Sequence, residues 1–189
     1  MRIFLSTMLL IGVSWVLYDR IGELRYFFAP NSLVQLGDVL TLPSEKALPI
    51  NQYVEVKGVL GNRAAAIKGL RGGSFRVGTF QVRHLLGSPI FVEFDQSLAS
   101  KMTAYTQVTL RGRLADFSPG GELGRVRNFF ETRLKMEIPP NARLLIVGEK
   151  PMQEWRYPIL FILGFILVVS SFYFTLRRRF KVANSAAES

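Results

Sequence analysis

The stretch that decides the fold is Tyr53–Leu60, YVEVKGVL, where Val54, Val56 and Leu60 alternate with Glu55, Lys57 and Val59. Period-2 alternation of this kind predicts a half-buried strand. A second stretch repeats it position for position: Val54-Glu-Val-Lys-Gly58-Val-Leu60 matches Val108-Thr-Leu-Arg-Gly112-Arg-Leu114, including the glycine. A glycine inside a strand often marks a bulge or a sharp bend where a small barrel closes. Two copies alone do not make a repeat protein.

Working outward, Gly61–Asn62 predicts a turn, with a weaker strand over Ala64–Lys68. Gly72–Gly73 is the next turn, followed by strands over Ser74–Val82, Pro89–Asp95, Tyr105–Phe117 and Arg143–Gly148. After Ser118–Gly121 the period changes. Val126, Phe129, Phe130 and Leu134 fall at i, i+3, i+4 and i+8, one stripe of a short amphipathic helix that Pro139–Pro140 stops. The expected fold class is all-β: a small OB-like barrel of about five or six strands with one short amphipathic helix, flanked by two transmembrane helices.

Those flanks are uncharged. Ile3–Tyr18 holds sixteen residues without a charge and Tyr157–Leu176 holds twenty. At about 1.5 Å per residue the second covers roughly 30 Å, the thickness of a hydrocarbon core. Trp155 and Tyr157 stand at one edge, and Arg177, Arg178, Arg179 and Lys181 at the other, as interfacial anchors do. The first segment is a few residues short of a comfortable span. A signal peptide is the alternative, but Val16-Leu-Tyr-Asp-Arg20 lacks a small-x-small cleavage site. The expected organisation is therefore 1–18, N-terminal anchor; 19–49, juxtamembrane lead-in; 50–150, barrel-like domain; 151–156, linker; 157–176, C-terminal span; and 177–189, basic tail.

Lys and Arg near the spans number five on each side, a tie under the positive-inside rule. The four cations that abut the second span favour a cytoplasmic C-terminus. The expectation is an integral protein of a bacterial inner (plasma) membrane, with the soluble domain extracytoplasmic. Small residues in the spans (Gly12, Ser14, Gly164, Ser170, Ser171) would let two helices approach closely.

Composition removes several chemistries. The 189 residues include no Cys and one His, so thiolate sites and clustered-His metal sites are excluded. No cofactor is expected. His84 could ligate haem or act as an acid or base, but it reads as a hydrogen-bonded loop histidine. Glu93 and Asp95 share a strand face and could serve acid–base hydrolysis, although an edge pair facing Arg or Lys is the commoner use of such residues. No nucleophile motif or phosphate-binding loop is present.

The basic residues are the strongest functional signal. The chain carries +10; taking Arg2 and the four tail cations from 24 basic residues, and Glu188 from 14 acidic ones, leaves +6 on Asp19–Arg156. Arg63, Lys68, Arg71, Arg76 and Arg83 form one group, and Arg111 and Arg113, with Arg125 and Arg127, a second. They are the candidate interaction surface, for a membrane-protein partner or anionic lipid headgroups. An OB barrel could also carry single-stranded nucleic acid on Tyr53, Phe75, Phe80 and Phe91, but nucleic acid is not expected outside the cytoplasm.

The layout of a span, a β-rich extracytoplasmic domain and a C-terminal span ending in arginines resembles the SURF1-type oxidase assembly factors. Tyr53–Leu60 with the Gly72–Val82 region is similar to their middle part. The chain has no GxWQ-type segment after the first span, and reads Glu154-Trp-Arg-Tyr-Pro158 where a His-Leu-x-Tyr-Ala-like motif would stand. The anchored OB barrel of the haem chaperone of cytochrome c maturation is similar in plan, but Val82–Leu86 does not reproduce its haem-attaching motif. No site residues carry over from either family. The expected function is a non-enzymatic membrane-anchored β-domain for protein or lipid interaction, in assembly or scaffolding of a membrane complex. The alternatives are an envelope- or lipid-acting hydrolase and a haem or metal chaperone of the SURF1-like type.

Overall fold

A computed structural model describes residues 2–42, 48–70, 77–117, 123–153 and 155–187, with the side chains of 2–6, 9, 19, 68–70, 77 and 174–187 outside the description. The chain divides into two units, a helical one from both ends and a β-rich one from Phe28 to Gln153.

The helical unit contains α1 (Arg2–Asp19), α2 (Ile21–Phe27) and α5 (Arg156–Ala187). Among the described residues one helix is long and apolar enough to cross a membrane, over Arg156–Tyr173. Ile162, Leu163, Phe165, Ile166 and Phe172 are all exposed along it. This corrects the expectation of two transmembrane helices. The first segment does form a helix, but its sixteen uncharged residues reach only about 24 Å. It packs on α5: a Cβ at Gly164 would lie 3.0 Å from both methyl carbons of Leu17. Of the small residues, Gly164 is thus a point of close approach, whereas Gly12 has nothing within 4 Å.

The β-rich unit is a mixed six-stranded sheet: β1 (Val34–Asp38), β2 (Gln52–Leu70), β3 (Val77–Leu85), β4 (Ile90–Asp95), β5 (Gln107–Asp116) and β6 (Arg143–Val147). A 3-10 turn (Val39–Thr41) follows β1, α3 (Gln96–Ala99) follows β4, and α4 (Gly124–Thr132) lies between β5 and β6. Strand pairing runs β1-β2-β3-β4-β6-β5, and β5 pairs again with β2. The hydrogen bonding of β2, β3, β4, β6 and β5 therefore returns to its first strand. β4–β6 and β1–β2 are parallel and the other pairs antiparallel.

The two matching stretches are each other's partners. Val54 pairs with Gly112, Val56 with Leu110 and Gly58 with Val108. Neither glycine is a bulge; the register shifts fall at Gln35/Gly37 and Leu60/Ala64. Both serve close approach instead. A Cβ on Gly112 would overlap the Ile146 carbonyl oxygen, and one on Gly58 would come 2.6 Å from Val39 Cγ2.

Three other expectations change. Gly61–Asn62 is not a turn, because β2 continues through it for nineteen residues. At Gly61 a Cβ would meet the His84 carbonyl oxygen at 3.0 Å, so the glycine lets β2 run close past β3. The lead-in supplies β1, whose burial is too slight for a hydrophobic pattern to mark it. His84 belongs to β3, not to a loop. The expected Gly72–Gly73 and Ser118–Gly121 turns lie outside the described residues.

In the wall formed by β3, β4 and β6, β4 and β6 are buried on both faces, and β3 adds Leu85 inside and Val82 outside. Inside the ring, Val54, Val56, Leu60, Leu85, Ile90, Val92, Phe94, Leu110, Leu114 and Leu145 make one core. On the outer face Ala65, Val82, Phe91, Leu144 and Ile146 pack with Phe117, Val126, Phe130, Ile138 and Ala142. That second core explains the unbroken burial from Ile90 to Phe94.

Candidate interaction surface

The described members of the two basic groups proposed from sequence lie in different environments. Arg63 is exposed on β2, where its Nη1 donates to the Leu134 carbonyl at 2.7 Å. Arg83 is half-buried on β3, donating to Gln81 Oε1 at 3.1 Å and to the Met102 carbonyl at 3.0 Å. Its cross-strand partner is Val92 of the inner core, so Arg83 stands on the inward-facing side of the wall. Arg111 is exposed and ion-paired with Glu55 across β2–β5. The hydrogen bond and charge of Glu55 raise its pKa, which keeps the guanidinium protonated. Lys68 has its backbone in β2 opposite Thr79, with its side chain outside the description. Arg71 and Arg76 lie outside the described residues.

Arg113 must be removed from the exposed set, being only 3% exposed. Its Nη1 donates to Glu149 Oε1 at 3.1 Å, while Nε and Nη2 donate to Asn51 Oδ1 at 3.0 and 2.7 Å. Asn51 has a φ of 57°, a left-handed conformation that asparagine tolerates better than most residues. Arg113 thus ties the residue just before β2 to Glu149, two residues beyond the end of β6. Breaking such a pair on one side strands a buried charge, at a cost of about 3–5 kcal/mol.

The paired positions across the sheet form a continuous row: Ala65, Val82, Glu93, Ile146, Arg113 and Tyr53. Directly opposed residues share a face, so Glu93 and Arg113 lie on the same outer face, two strands or about 10 Å apart. Glu93 is 2% exposed, whereas Asp95 is exposed at the end of β4, ahead of α3. The two carboxylates share a strand face, but their environments differ. His84 is half-buried, with its ring 4.9 Å from that of Phe91. Its Nε2 lies 2.6 Å from the Ser88 carbonyl. A carbonyl only accepts, so Nε2 carries the proton. Burial lowers the His84 pKa, partly opposed by that hydrogen bond. Tyr53, Phe80 and Phe91, named as stacking candidates, are all buried, and Phe75 lies outside the described residues. Among the described residues no group of three or more His, Asp or Glu could hold a metal ion.

Sequence reasoning missed the structural use of Arg127. It is buried on α4, donating from Nη1 to the Phe117 carbonyl at 3.0 Å, from Nη2 to the Ile138 carbonyl at 2.7 Å and from Nε to Glu131 at 2.9 Å. One guanidinium thus fastens the chain on both sides of α4. Its signal was available: at 100° per residue Arg127 lies about 60° from Phe130, at the edge of the stripe the helix buries. Phe129, expected in the buried stripe, is instead exposed at its border, with Arg125 four residues before it on α4 and Arg133 just after the helix, both exposed as well.

Comparison with protein-family models, curated proteins and solved structures finds no match for this chain.

Proposed function

We propose that the chain is a membrane-anchored, non-enzymatic OB-type barrel that binds a membrane-protein partner during assembly of a complex. Its β-rich unit would face the extracytoplasmic side of a bacterial inner (plasma) membrane. The observation that carries this reading is α5. Its apolar side chains are exposed around the helix, and only 6% of the window Arg156–Tyr173 is buried. Water is a poor solvent for such a surface and lipid a good one.

The OB assignment is supported by the order in which five strands close on one another, with β4 and β6 as the parallel pair. A binding role is supported by how the charges are used. Arg113 with Glu149, and Arg127 with backbone carbonyls, are engaged in holding the scaffold. The hydrolase alternative would draw on Glu93 and Asp95 acting together, and their unequal burial weighs against it.

The test is carbonate extraction of cell membranes followed by purification of the full chain in mild detergent. The chain should resist carbonate and bring a membrane protein with it in fixed ratio. Deleting 157–176 should release it, whereas deleting 2–18 should leave it attached. Release of the intact chain by carbonate would overturn the anchor, and purification alone would overturn the partner. A reporter active only in the periplasm, fused at the exposed turn around Tyr105, should be active on the proposed side.

A further inference from the structure

We propose that the outward face of α4 is a lipid-contact patch, seating Phe129 among anionic headgroups through Arg125, Arg133, Lys135 and Arg63. This rests on the membrane-anchored reading above and specifies a surface for it. The patch begins with spacing. At 100° per residue Arg125, Phe129 and Arg133 span about 80° of the helix surface, bordering buried Val126 and, at Phe129, about 160° from buried Arg127. Lys135 follows α4 and is exposed. Arg63 reaches the same place from β2, because its guanidinium donates to the Leu134 carbonyl.

Arg125 and Arg133 thus lie one helical turn to either side of an aromatic residue that is 40% exposed, and Lys135 and Arg63 stand at the Leu134 end of the helix. The nearer carboxylate, Glu131, is occupied by the buried Arg127, and Glu137 is the other acid close in sequence. The ring is oriented from below: Phe129 meets Phe130 edge-on at 6.3 Å, and Phe130 is fully buried. An exposed aromatic residue flanked by arginines is what an interfacial contact requires.

The bilayer is the occupant favoured over an acidic protein because the anchor keeps it within reach at all times. A tethered surface is met at high effective concentration, so weak contacts suffice. Basic residues near anionic lipid act additively, and their attraction decays within a Debye length, about 8 Å at physiological ionic strength.

The absence of Cys from the chain makes the test direct, since one introduced thiol can be labelled alone. Full-length Thr132→Cys, carrying a polarity-sensitive fluorophore, would be reconstituted into nanodiscs of phosphatidylcholine alone or with 30% phosphatidylglycerol. Emission should shift to the blue only with phosphatidylglycerol. The shift should disappear in Arg125→Glu/Arg133→Glu, and fall at least several-fold between low and high salt. Equal emission in both lipids, or a shift that survives charge reversal, overturns the proposal. So does a shift that appears only when a co-purified protein is added, which would assign the patch to an acidic partner. A far-UV spectrum and an unchanged unfolding midpoint show that the variant is folded. Phe129→Ser, which keeps all the cations, should also reduce the shift. Carbonate extraction of each variant separates the two claims. Lost retention breaks the anchor, whereas retention without a shift breaks only the patch.

Discussion

The two cores on either side of the β3–β4–β6 wall are built differently. The inner one is aliphatic apart from Phe94, and it draws on every strand of the ring. The outer one is centred on three rings: Phe91 lies 4.8 Å from Phe117 and 5.0 Å from Phe130, ring to ring. It depends on a helix of nine residues, which is too short to be stable alone. Nor does a side chain cap the helix: the N-cap is Leu123, without a capping hydrogen bond. The inner core is held by closure of the strands, and the outer one by packing together with one buried guanidinium. Closure should therefore be the less forgiving of the two.

The largest effect should come from Gly112, where β5 passes between β2 and β6. Its Cβ would overlap a backbone carbonyl, and Val147 Cα lies 3.1 Å away, so no side chain can move to make room. Gly112→Ala should part β5 from β6 and cost about 3 kcal/mol or more. Gly58→Ala is the control, because its obstacle is the Val39 side chain, which can turn aside. Chemical denaturation of both variants should rank them in that order. Equal losses would mean that closure is not what holds the inner core.

Arg127→Met should come next. It keeps the aliphatic stem and removes the donors to Phe117 and Ile138. Two buried carbonyls then lose a charged partner, at about 1–3 kcal/mol each before relaxation. Hydrogen exchange on the full chain in detergent should show protection lost over 123–138, with β2, β5 and β6 still protected. Simultaneous loss of protection in the barrel strands would show that the two cores form one cooperative unit.

The contrast also explains what could be read from the sequence. Alternation in Tyr53–Leu60 and Val108–Leu114 revealed the ring strands, because each has one face in the core and one outside. β4 was expected over Pro89–Asp95 without alternation, since Ile90 to Phe94 are buried without a break, and β1, which is barely buried, was missed. The glycines were legible as special, but their partner was not. That Gly112 opposes Val54 is a pairing between residues 58 positions apart, which no local pattern encodes. Charge misled for a related reason. An arginine reads as surface unless its acceptors are known, and those of Arg113 and Arg127 come from distant segments or from backbone carbonyls. The α5 segment was the easiest to read, since its length and lack of charge suffice.

The smallest effect should be a pH dependence confined to the outer core. His84 lies at its margin, tilted against Phe91 and donating from Nε2 to the Ser88 carbonyl. Burial favours the neutral ring, so the folded pKa lies below the ordinary value of about 6.5 that the unfolded chain retains. Between those two values the unfolded state binds more protons, and stability rises with pH. His84 thus contributes its full share above about pH 6.5, and that share is lost as pH falls toward the folded pKa. Comparing unfolding midpoints at pH 7.5 and 5.5 should show a fall in the parent chain that is reduced in His84→Gln. Carboxylates titrate mainly below this window, so they should contribute equally to both proteins. In Arg127→Met, where the outer core is loosened, His84 gains solvent and the same fall should shrink. Identical pH responses in all three proteins would remove His84 from the outer core's energetics and leave its ring contact with Phe91 without consequence for stability.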